Sequence, residues 1–106
     1  MSGFHSDEER AAWALAEQLM DKARTVMRQA ESALDAFITG KELYRQRCSR
    51  RGIGATDAEI RWSETSEAKK ALSDNSFNVS QAMLYYGAAA ASYSRAAYLR
   101  SCAHHH

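Results

Sequence analysis

An all-α fold is predicted by three features of this 106-residue chain: proline is absent, glycine occurs only five times, and apolar residues recur at heptad spacing over long stretches. A β-sandwich or barrel of this length needs many tight turns, which such a composition does not supply. An apolar fraction of 45% and a charged fraction of 25% fit a globular chain rather than a disordered one. Much of the apolar share is alanine, and aromatics make up only 9%, so a core of small side chains is expected. The length suits a single helical domain over residues 1–103 and excludes a multidomain enzyme. His104, His105 and His106 read as the remnant of an affinity tag.

The first helix is expected from about 7 to about 46. Ser6-Asp7-Glu8-Glu9 has the Ser-x-x-Glu form of a capping box, with three acids to complement the helix dipole. Three apolar rows then run at heptad spacing. Trp13, Met20, Met27 and Leu34 form one; Leu19, Val26 and Ala33 the second; Ala16, Ala23, Ala30 and Phe37 the third. Three rows in seven imply a broad buried face, with Glu17, Asp21, Arg24, Arg28, Glu31 and Asp35 opposite. Thr39-Gly40 is the one place where an irregularity is expected.

A basic loop follows over 47–56, with Gly52 and Gly54 as its turn residues. Thr56-Asp57-Ala58-Glu59 repeats the capping-box form, so the second helix is placed at about 57–73, carrying Ala58, Ile60, Trp62, Ala68, Ala71 and Leu72. Asp74-Asn75-Ser76 are three capping-type residues in succession. They favour a break there and a third helix at about 76–102. Against a break, Ala68, Leu72, Asn75, Val79, Ala82 and Tyr86 keep helical phase straight through the segment. The chain is therefore expected to be a helical hairpin or, by slight preference, a three-helix unit that reverses at 74–76. Such a reversal would carry Cys102 back toward the Cys48 region, whereas an unbroken hairpin would hold the two far apart. Either arrangement leaves apolar surface uncovered, which predicts a homo-oligomer, most simply a dimeric four-helix bundle.

The net charge of +1 is unevenly spread. Residues 1–40 carry seven acids against four bases, residues 41–51 five bases against one acid, and residues 52–106 five of each. The basic patch is Arg45, Arg47, Arg50 and Arg51, with Tyr44 as a stacking surface, and could clamp phosphates or an acidic partner. Its plainer reading is a helix end decorated with bases that the dipole favours. Residues 76–103 hold no acid and only Arg95 and Arg100 as bases, alongside Tyr85, Tyr86, Tyr93 and Tyr98. Alanine, serine and tyrosine over so long a stretch suit contact with another chain, so these four tyrosines are the candidate interaction residues. Tyr86 and Tyr93 share a core-facing row, with Tyr85 about 100° around the helix.

No catalytic chemistry is expected. Cys48 lies among arginines that favour its thiolate, but the only histidine outside the tag is His5, some 40 residues away. No Glu-x-x-His pair marks a metal bundle, and no phosphate-loop pattern accompanies Gly52 and Gly54. No cofactor or metal is expected, no stretch reaches the ~18 apolar residues of a membrane span, and Met1 to Arg10 has no export pattern, so the expected location is the cytoplasm.

The segment Ala71-Leu72-Ser73-Asp74-Asn75, with Phe77 and then Gln81-Ala82 and Tyr85-Tyr86, resembles small helical proteins of unassigned function encoded by phages of actinobacteria. The likeness covers 16 residues, and implies a phage origin, a helical fold and residence in the host cytoplasm. The size and hairpin form are also similar to the secreted hairpins defined by a Trp-x-Gly turn. That turn is missing here, since Trp62 is followed by Ser63 and Glu64. The sequence thus points to a non-enzymatic interaction protein, an accessory phage protein binding a host or phage protein. A small nucleic-acid-binding regulator using segment 44–51 stands second, and a minor virion component third.

Overall fold

The computed structural model describes residues 6–104, which form α1 (Asp7–Arg50), α2 (Ala55–Ser63) and α3 (Ser66–His104). The chain is all-α, with a short helix between two long ones and no strand among the described residues. His5, and His105 and His106 of the expected tag, lie outside the described residues. Packing divides the chain into two compact units, one of Met1–Val26 with Ser80–His106 and one of Met27–Val79.

The start of α1 follows the sequence. The Ser6 hydroxyl accepts the Glu9 N–H at 3.0 Å, and Asp7, Glu8 and Glu9 occupy the first turn. Its end does not, because residues 47–50, expected in the loop, are helical. The stop is a Schellman motif: Ile53 N–H donates to the Cys48 carbonyl at 2.9 Å, and Gly52 N–H to that of Ser49 at 3.0 Å. Gly52 supplies the left-handed φ of 77° that this motif needs.

Helix α2 begins at Ala55 with Gly54 as its N-cap, two residues before the expected start. The expected capping pair is not what starts it, and Glu59 instead meets Lys41 Nζ at 3.6 Å. The larger correction is at its other end. The second helix stops at Ser63, not near 73, and the third starts at Ser66, not 76. Thr65 makes this boundary: its hydroxyl donates to the Trp62 carbonyl at 2.7 Å and accepts the Ala68 N–H at 3.1 Å. One side chain therefore closes α2 and caps α3.

No break occurs at Asp74-Asn75-Ser76, because polar side chains in and beside that segment find partners that leave the helix intact. Asp74 takes Lys70 Nζ at 2.8 Å, Asn78 Nδ2 donates to the Asp74 carbonyl at 2.8 Å, and Asn75 Nδ2 donates to the Ala30 carbonyl on α1, also at 2.8 Å. The competition that usually drives such residues out of helices is thereby turned into support. The reversal preferred at 74–76 is made neither there nor at 63–66: the chain turns back once, at 51–54. After that turn Trp62 meets Gly40 and Asn75 meets Ala30 in one unit, and Ser92 meets Ala12 and Arg100 meets Glu9 in the other, as in the hairpin alternative. Cys48 and Cys102 are both free thiols.

In the first unit α1 and α3 run antiparallel across an alanine seam. Ala12, Ala16 and Ala23 face inward from α1, and Ala82, Ala89 and Ala96 from α3, all buried. Seams of small side chains let helix axes approach closely. The short Ser92 side chain can therefore reach the opposite backbone, donating to the Ala12 carbonyl at 2.6 Å. The broad face expected on α1 narrows accordingly. The alanines of its third row are buried, Leu19, Val26 and Ala33 are half-buried, and Trp13 and Leu34 stand exposed. An alanine seam admits only the two innermost positions of each heptad, so the Trp13 row lies at the rim.

The second unit is built around Trp62 of α2, the one large side chain among the described residues that is fully buried. Its indole lies on Gly40, where any Cβ would collide with the ring, and tilts against Phe37 and Tyr44 at centroid distances of 5.7 and 5.9 Å. Gly40 is therefore no irregularity. It is the gap in α1 that receives the tryptophan.

Candidate interaction surfaces

Two surfaces gather the residues that the sequence marks as functional, one in each unit. In the first unit the four tyrosines do not form a single cluster. Tyr86 and Tyr93, expected to face the core, are half-buried beside the alanine seam, because Ala82, Ala89, Ser92 and Ala96 fill it. Tyr93 meets Trp13 edge-on, with ring centroids 4.9 Å apart at 72°. Tyr85 is half-buried, with Lys22 Nζ 6.0 Å above its ring, at the outer limit of a cation–π contact. Tyr98 is 67% exposed, and hydrogen bonding to the Cys102 sulfur together with that sulfur's charge pushes its phenol pKa up.

Leu84 is 68% and Met83 59% exposed as well, about four turns before Tyr98 on the outer side of the same helix. Alanine faces inward while methionine, leucine and tyrosine face outward, an inversion of the usual burial order. Near the ends of the two helices lies an open groove of about 320 Å³ walled by Trp13, Tyr93, Ala96 and Ala97. Its polar margin is Glu9, only 3% exposed, which accepts Arg100 Nε at 2.9 Å. Sequence reading missed this pair. Glu9 sits one heptad before Ala16 in the buried row, which was the available signal.

In the second unit the basic patch separates. Arg45 is tied to Glu42 at 3.4 Å, and Arg50 stands exposed at the end of α1. Arg47 and Arg51 line a groove of about 110 Å³ with Tyr44, Cys48, Ile53 and Arg61. Arg61 comes from α2 and was not anticipated. Ending α2 at Ser63 places it in that helix's last turn, a placement the expected boundary at 73 concealed.

Among the described residues no helix is long and apolar enough to cross a membrane. Comparison with known protein families, with curated proteins and with solved structures finds no match to this chain.

Proposed function

We propose that this chain is a non-enzymatic protein–protein interaction module that pairs first with a second copy of itself through the outer face of α3. The observation that carries the reading is the inversion of burial in the first unit, where alanine fills the interior and Met83, Leu84 and Tyr98 face water. A face of that kind, without an acid from residue 76 to 103, is the composition of an interface core. An isologous pairing would set the same apolar patch of each copy against the other.

The resemblance of residues 71–86 to small actinobacteriophage proteins supports a phage accessory role in the host cytoplasm, with a host or phage protein as the further partner. Light scattering at micromolar concentration tests the first step. A dimer or larger is expected, and L84E together with M83E should convert it to a folded monomer. A wild-type chain that is monomeric and fully folded sinks the reading.

A further inference from the structure

We propose that the groove lined by Tyr44, Arg47, Cys48, Arg51, Ile53 and Arg61 binds a phosphoryl oxyanion. This site is separate from the α3 face and stands or falls without it.

Three guanidinium-bearing side chains line one groove, and no carboxylate does. Two nearby bases are neutralised within the chain, Lys41 by Glu59 and Arg45 by Glu42. Arg47, Arg51 and Arg61 form no ion pair among the described residues. Like charges brought together without a counter-charge repel, and a bound anion removes that cost. Helix dipoles account for the sign of Arg47 and Arg61, each in the last turn of its helix, but not for their meeting at one groove with Arg51.

The frame is held before any ligand arrives. Arg51 is the C-cap and Ile53 the second residue beyond it in the Schellman motif, fixed by the bonds to the Cys48 and Ser49 carbonyls. Cys48 and Ile53, the hydrophobic pair of that motif, form part of the wall. Arg61 is positioned from the other side by its neighbour Trp62, locked on Gly40. Guanidinium forks match phosphate oxygens two at a time, so three of them favour a phosphoryl group over a carboxylate or halide. A groove of about 110 Å³ has room for one phosphoryl head. Tyr44 and Ile53 offer an apolar wall to whatever an ester carries.

Titrating the full-length protein with inorganic phosphate and, separately, with phenyl phosphate tests this by NMR at the arginine side chains and the Gly52 and Ile53 amides. Saturable shifts at Arg47, Arg51 and Arg61 are expected. R61Q should weaken binding about tenfold or more, the worth of one charge-assisted hydrogen bond, while R28Q, at an exposed arginine outside the groove, should leave it unchanged. Tighter binding of phenyl phosphate would assign the site to esters, and tighter binding of the free ion to phosphate itself; both support it. Shifts that chloride reproduces at equal ionic strength would overturn the proposal, as would equal losses in R61Q and R28Q. So would duplex DNA that engages Arg45 and Arg50 as strongly as the groove arginines, because an extended nucleic-acid surface would then be at work.

Discussion

The two units solve the problem of packing long helices in opposite ways. The first removes bulk from the interior: six alanines line its seam, and the short Ser92 side chain reaches across it to the Ala12 backbone. The second adds bulk, bringing in Trp62 from a nine-residue helix and clearing Gly40 to receive it. The difference follows from the number of helices. Two helices close best over small residues, whereas a third leaves a gap that a large ring fills. It also separates the candidate functions. The close seam turns the large apolar residues of α3 outward, while the tryptophan anchors a short helix whose last turn presents Arg61.

The sharpest break of this comparison is Trp62→Ala, which should cost about 3–5 kcal/mol in chemical denaturation. Trp62→Phe should cost much less, since the indole N–H has no hydrogen-bond partner and the change removes an unsatisfied buried donor. Gly40→Ala should also destabilise, because overpacking against the ring costs about 1–3 kcal/mol, more than the ~1 kcal/mol gained in helix propensity. In the first unit the polarity reverses: enlargement is the damage, and Ala89→Leu should cost about 1–3 kcal/mol. If Ala89→Leu is neutral while Gly40→Ala is not, the seam is looser than its burial implies.

How much of this was legible in the sequence depends on the range of the interactions. The long helices, the Ser6 cap and the alanine row follow from local pattern, because periodicity and capping act within a few residues. The boundary between α2 and α3 did not follow. Ser63-Glu64-Thr65-Ser66 and Asp74-Asn75-Ser76 both contain capping residues, and nothing local ranks them. What decides is a carbonyl 45 positions away, at Ala30, which gives Asn75 a partner inside the fold. The same error hid Arg61. With α2 drawn to residue 73, the arginine fell mid-helix instead of in the last turn, where it lines a groove with Arg47 and Arg51.

A smaller effect separates the two cross-seam polar bonds. Ser92→Ala and Asn75→Ala each remove one hydrogen bond to a carbonyl, worth about 0.5–1.5 kcal/mol. Their consequences should differ in kind. Ser92 is buried among alanines, so Ser92→Ala leaves the seam's shape and register intact. Asn75 sits at an inner heptad position, where a single polar residue can specify register. Asn75→Leu should therefore broaden the NMR resonances around Ala30 even if stability is kept. Sharp, unshifted resonances in Asn75→Leu would assign register to the Trp62 wedge alone.

The smallest expected effect asks what Lys70 adds to that same polar stretch. Its ammonium donates to Asp74 at 2.8 Å, and this hydrogen bond, together with the attraction of the carboxylate, raises the lysine pKa above 10.5. A group whose pKa is raised on folding stabilises the fold fully below its unfolded value, and the contribution is lost as pH rises through the folded one. The pair should therefore help throughout the neutral range and be lost at strongly alkaline pH. Its help is slight for two reasons: both side chains are well exposed, and the lysine precedes the acid along the helix, the weaker order for an i,i+4 pair. NMR titration should place Lys70 above 10.5 and lower it in Asp74→Asn, with the melting temperature at neutral pH barely changed. If Asp74→Asn instead melts the helix at that point, the ion pair rather than the Asn75 bond to Ala30 is what keeps the segment helical, and the account of why α3 runs unbroken must shift from tertiary to local interactions.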